Sequence, residues 1–168
     1  MIRYADCPQI LKDFLSYHET IKGQSAKTIQ EYYLDLRMFL RFMVLVKREM
    51  PYDTDLNTIE IKDVNLAFIE TISVSDIFDF LSYLANDRVS DQRDADPGIG
   101  SAARARKLSS IKSFYKYLTH SKQLDVNPVQ DMEFPKIRKS LPRYLTLEQC
   151  TSLLKAVDGP NAKRDYAI

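Results

Sequence analysis

The sequence predicts an all-α fold: a small helical bundle, a linker, and the start of a second helical unit. Apolar residues recur at three- and four-residue steps in several separate stretches, and residues that start and stop helices bracket those stretches. The one short alternation, at Ile59 and Ile61, has no partner strand in view.

Residues 8–22 place Ile10, Leu11, Phe14, Leu15, His18 and Ile21 on one stripe between Pro8 and Gly23, which predicts a first helix. His18 falls on that stripe with no second ligand nearby, so it reads as a hydrogen-bonded core histidine and not as a metal ligand or base. Ser25 caps a longer helix through Arg48, with Ile29, Tyr32, Tyr33, Leu36, Phe39, Leu40 and Met43 inward. Lys27, Gln30, Arg37 and Arg41 line another flank of it, which suits either a phosphate or plain solvent. The polar text of 49–57 reads as a loop, and 64–69 as a short helix. Ser73 or Ser75 caps a further helix, with Asp76 and Asp79 in its opening turns, Ile77, Phe80, Leu81 and Leu84 inward, and an acidic exterior. Residues 89–100 form a connector rich in Asp, Ser and Gly.

The stretch GSAARARKLSSIKSFYKYLTH, 100–120, predicts a helix capped by Ser101. Ala105, Leu108, Ile111, Phe114, Tyr115 and Leu118 gather on one arc, and Arg106, Ser109, Ser110, Lys112, Ser113 and Lys116 on the other. No carboxylate occurs between Ala102 and Gln123. A cationic, hydroxyl-bearing face suits a polyanion, although the same residues are ordinary on a solvated face. After it, Leu124, Val126, Asn127-Pro128 and Met132 suggest a turn and a short helical piece that packs back. Prolines at 135 and 142 with cations at 136, 138, 139 and 143 read as a basic interdomain linker, 135–146. Thr146 caps an amphipathic helix carrying Leu147, Cys150, Leu153, Leu154 and Val157, with Glu148 short of capping-box spacing, and a further helix starts in NAKRDYAI. The expected domains are therefore 1–134, the linker 135–146, and a truncated unit, 147–168.

The net charge of +1 over 168 residues is a cancellation: residues 1–48 carry +3, 49–96 carry −9, 97–143 carry +7, and 144–168 are neutral. That asymmetry points to a polyanion-binding surface set apart from an acidic flank. Two distant cysteines, Cys7 and Cys150, exclude a disulfide framework and suggest no zinc site. No apolar run reaches membrane-span length and the amino terminus lacks signal-peptide order, so a soluble cytoplasmic protein without membrane contact is expected.

The ordered set of motifs resembles the amino-terminal part of a tyrosine recombinase of the phage-integrase, Xer-like kind, of bacterial or phage origin. Ser25 to Phe39 follows the family's S-x-K-T-x-x-x-Y-x-x-D-L-x-x-F text, and 101–118 its arginine, leucine, serine and Phe-Tyr-x-Tyr-Leu pattern. NP at 127–128, PK at 135–136, LP at 141–142, Leu-Thr-x-Glu at 145–148, Leu-Leu at 153–154 and RDYAI at 164–168 follow in the family's order.

The resemblance implies a SAM-like, all-helical core-binding domain that forms half of a clamp on duplex DNA, a linker, and a catalytic domain. It implies sequence-selective binding of double-stranded DNA, other recombinase protomers as partners, and roles in DNA integration and recombination. It brings over Lys27, Thr28 and Gln30 from one helix and Arg104, Arg106, Lys107 and Ser110 from the other; Arg37, Lys112 and Lys116 join them as further cations of those helices, and Lys139 as a DNA-binding cation of the linker. The family's nucleophilic tyrosine, arginines, lysine and histidines have no counterpart among these 168 residues, so this stretch is expected to have no catalytic residues and no strand-cleaving activity; no metal or cofactor is expected. The rival reading is a helical interaction module whose basic helix docks on an acidic partner protein. RNA binding has no aromatic sheet motif to support it.

Overall fold

A computed structural model describes residues 6–86, 98–136 and 144–166. These form seven α-helices and one 3-10 turn with no strand: α1 Gln9–Thr20, α2 Ala26–Lys47, the 3-10 turn Leu56–Thr58, α3 Leu66–Glu70, α4 Val74–Asn86, α5 Ser101–His120, α6 Leu147–Lys155 and α7 Ala162–Tyr166. The chain divides into two compact units, Met1–Ile137 and Arg138–Ile168.

In the first unit α2 is the hub. Its amino-terminal half shows the expected stripe, but Phe42, Met43, Val44 and Leu45 are all buried, so the helix is covered on every side over that one turn. A helix that is apolar all round must be enclosed. It packs against α1, α4, α5 and the 3-10 turn, and α4 packs in turn on α5. Phe14 of α1 joins the elements through edge contacts with Tyr32, Phe114 and Tyr117, while Phe39 and Phe42 meet Phe80 of α4. Such pairs add specific geometry to the apolar burial. The whole inward arc of α5, Ala105 to Leu118, is buried as its spacing predicts.

Local signals set the helix ends. Ser25 accepts the Thr28 N–H, and Ser73 and Asp76 exchange backbone N–H bonds at the start of α4. Asp76 is not part of an acidic exterior: it is buried and lies 2.7 Å from Lys47 Nζ, which ties the start of α4 to the end of α2. Burial raises its pKa, but the Lys47 ammonium and the Ser73 donors outweigh that and hold it low. Ser101 does not cap α5; Gly100 occupies the N-cap, with no side-chain bond. Gly98 has φ 95°, and a Cβ there would stand 1.9 Å from the Ala85 carbonyl oxygen, so only glycine permits this approach to the end of α4. Ile59 and Ile61 are buried in extended chain, and Asn65 caps α3. Residues 124–132 bury Leu124, Val129 and Met132 through turns in place of the expected helical piece, and Val126 is exposed. The second unit holds α6, where Thr146 and Gln149 form the capping box that Glu148 cannot, and no side chain of α6 is buried.

His18 is buried against Phe14 and Tyr32, with Nδ1 3.0 Å from Gln24 Oε1. Burial lowers its pKa although the Gln24 bond opposes that. An unfolded histidine protonates near pH 6.5, so the unfolded state binds more protons just below that value and stability is lost as the pH falls. Between about pH 7 and 5 the unfolding free energy is expected to drop more steeply for the native chain than for His18→Gln; equal slopes contradict the assignment.

Both α2 and α5 end in Schellman turns whose left-handed residue is not glycine: Glu49 at φ 51° and Lys122 at φ 55°. Lys122→Gly is expected to stabilise the fold by about 0.5–1 kcal/mol in denaturant titration, since glycine adopts that conformation without steric cost. A loss of stability contradicts this reading of the turn.

Candidate nucleic-acid interface

Asp35 sits between Leu34 and Leu36 on α2, and its side chain has no exposed surface. A carboxylate there is costly unless donors surround it. The helix without acids supplies them. Lys107 Nζ lies 2.8 Å from Asp35 Oδ1, while Arg106 Nη1 at 2.7 Å and Ser110 Oγ at 2.8 Å reach Oδ2. Arg106 Nη1 also stands 2.8 Å from Glu31 Oε2. Lys107 and Ser110 are consequently buried, although the helical wheel puts Ser110 on the outward arc. The wheel describes one helix in isolation; α2 covers that edge and Asp35 provides the polar partner. Four donors and acceptors on two helices fix the rotation of α5 against α2.

Above this lock a shallow groove runs between the two helices. On one side the first turn of α2 presents Lys27 and Thr28, with Thr28 Oγ1 3.0 Å from the capping Ser25 hydroxyl. On the other lie Arg106 and Ser109, and Glu31 and Tyr32 contribute to the wall. Lys27 and Ser109 are exposed, and Arg106 keeps 47% of its side-chain surface open. The groove thus offers a lysine, a guanidinium and hydroxyls, with one carboxylate among them.

The remaining candidates are placed elsewhere. Gln30 is exposed on α2 but does not line the groove. Arg37 stacks over Tyr33 at 5.1 Å and approaches Asp6 at 4.0 Å, where Tyr33 and Arg41 also bond. Burial raises the pKa of Asp6, but the Tyr33 hydrogen bond and the two arginines hold it below the usual carboxylate range; burial pushes the Tyr33 hydroxyl up to about 12. Arg104 donates to the Ile99 carbonyl at 2.7 Å and steadies the entry to α5. Lys112 Nζ reaches the carbonyls of Met132 at 2.7 Å and Gln130 at 3.0 Å and lies over Phe134, so it fastens the segment after α5. Lys116 is exposed beside a separate recess with Lys22, His120 and Tyr117. Lys139 lies outside the described residues.

Sequence reading missed Glu31 and Asp35 as parts of this site, and Ser109 appeared only as a member of the polar arc. The available signal was the aspartate inside the Y-x-x-D-L text, a charge next to an apolar stripe and facing a helix devoid of acids. Among the described residues no group of histidine, cysteine and carboxylate side chains is placed to hold a metal, and no helix is long and apolar enough to cross a membrane.

Fold and groove together define an all-α domain that presents a cationic, hydroxyl-lined face on two locked helices. The chain is 40% identical over 162 residues to the tyrosine recombinase XerC of Caldanaerobacter subterraneus subsp. tengcongensis, covering 96% of this chain and 43% of that protein. It is 31% identical to the tyrosine recombinase XerD of Listeria monocytogenes, over 95% of this chain and 45% of that one, and 30% identical to the tyrosine recombinase XerC of Myxococcus xanthus, over 95% and 44%. The chain belongs to the tyrosine recombinase family. It spans less than half the length of these relatives. No family model matches it, and no solved structure gives a significant match.

Asp35→Ala leaves the Lys107 ammonium buried without its carboxylate, and is expected to cost roughly 3–5 kcal/mol in chemical denaturation. Asp35→Leu combined with Lys107→Met removes both charges and is expected to recover most of that loss. A single variant that unfolds like the native chain contradicts the lock.

Proposed function

We propose that this chain is the core-binding part of a site-specific recombinase and holds duplex DNA against the groove between α2 and α5. The observation that carries the reading is convergence. Two segments that are about 75 residues apart in sequence, the first turn of α2 and the outward edge of α5, meet in one groove with Arg106, Lys27 and hydroxyls exposed together. Cations of this kind neutralise backbone phosphates, and an exposed guanidinium is suited to the acceptor edge of guanine. The relatives are tyrosine recombinases by name, and DNA is the substrate that name implies.

On this reading the residues divide by role. Lys27, Thr28, Ser109 and Arg106 face DNA at the groove, and Lys116, with Gln30 and Arg37, meets it at the margins. Asp35, Lys107, Ser110 and Arg104 position α5, and Lys112 holds the segment between α5 and the linker. Residues 1–134 act as the DNA-binding domain and 147–168 belong to a catalytic domain, with 135–146, including Lys139, between them. None of the ten tyrosines matches the family's nucleophile, so these 168 residues bind without cutting. Strand exchange, integration and pairing with other protomers belong to the whole protein, which works on DNA in the cytoplasm.

A gel shift and a nicking assay on one preparation test both halves of the reading. Duplex binding that weakens steeply with salt, without covalent adducts, is the expected result; an affinity that salt leaves unchanged favours the rival acidic-protein partner. Arg106→Ala is expected to cost about 1–3 kcal/mol on the preferred site and little on random duplex, whereas Lys116→Ala weakens both alike and lowers the salt slope by about one. Equal losses on both DNAs for both variants contradict base reading by Arg106.

A further inference from the structure

A carboxylate at a phosphate-facing surface is unfavourable unless something requires it, because it repels the polyanion wherever it finds no donor. Glu31 occupies such a place. It keeps 45% of its side-chain surface exposed, lies on the groove wall beside Lys27 and Thr28, and sits 2.8 Å from Arg106 Nη1. The lock does not depend on it: Asp35 already receives Arg106, Lys107 and Ser110 from beneath. Glu31 therefore has one oxygen on the guanidinium and spare acceptor capacity on a side chain that lines the groove.

We infer that Glu31 is a specificity-determining residue that accepts a hydrogen bond from the N4 amino group of a cytosine adjacent to the guanine read by Arg106. The inference rests on the DNA reading above and deepens it. A glutamate in the major groove finds on cytosine an amino donor with no acceptor on the same base edge, whereas the N6 amino group of adenine lies beside the acceptor N7, and the O4 of thymine and the O6 and N7 of guanine are acceptors that reject it. Arg106 and Glu31, bonded to each other, present a donor fork and an acceptor side by side, complementary to guanine and cytosine on neighbouring base pairs. The pair also restrains Arg106: Glu31 and Asp35 hold the guanidinium in one orientation before DNA arrives, which limits the side-chain entropy lost on binding. Sequences that offer no donor there leave the second oxygen of Glu31 facing an acceptor, so discrimination comes from rejection as much as from attraction.

The test is binding-site selection from a randomised duplex pool, performed with the native chain and with Glu31→Gln, together with affinity for the unselected pool. The amide keeps an oxygen toward Arg106 and leaves Asp35 untouched, and matching melting curves confirm that the variant folds. The native chain is expected to enrich a cytosine next to a guanine. Glu31→Gln is expected to lose the cytosine preference, keep the guanine, and bind the unselected pool roughly tenfold more tightly. Enrichment of the same cytosine by both proteins, or a variant that binds the unselected pool no better, overturns the inference while the DNA reading stands. Failure of the native chain to bind any duplex overturns both.

Discussion

A single buried carboxylate organises the functional face of this domain. Asp35 has no exposed surface and is met by three side chains of α5, so the two helices share one electrostatic unit. Apolar packing alone permits a helix to rotate or slip at modest cost, because neighbouring apolar side chains replace one another. A buried ion pair does not permit that, since any slip leaves a charge without a partner. The aromatic cluster around Phe14 brings α1, α2 and α5 together; Asp35 decides which residues of α5 face outward.

That constraint explains why the cations of α5 differ in role although they are adjacent in sequence. Lys107 lies under the surface, Arg106 straddles Asp35 below and Glu31 above, and Lys112 turns away toward the carbonyls of 130 and 132. Charge density in the 97–143 segment is therefore greater in the sequence than on the groove. What the groove keeps is a small set of oriented donors.

The helices and most of the core were legible because both depend on local spacing. The buried arc of α5, the Ser25 cap and the core histidine follow from periodicity and short-range hydrogen bonding. The site was legible only in part. Lys27, Thr28 and Arg106 line one groove, but the burial of Lys107 and Ser110 depends on a residue more than 70 positions away, which no single-helix wheel contains. The acid-free face of α5 suggested an external polyanion, whereas the first anions it meets are Glu31 and Asp35 of its own neighbour. Gly100 stands at the cap in place of Ser101, one residue from the position that side-chain preference suggests, and Glu49 and Lys122 take the left-handed position at their helix ends.

The claim that α2 and α5 act as one locked, DNA-facing body is tested most directly by titrating the isotopically labelled chain with duplex DNA and following backbone amide shifts. The account predicts that amides of 25–31 and of 106–110 shift together, with one shared affinity, while α4 and the 3-10 turn remain unmoved. Shifts confined to α4, or shifts of the two segments at separate affinities, would contradict it.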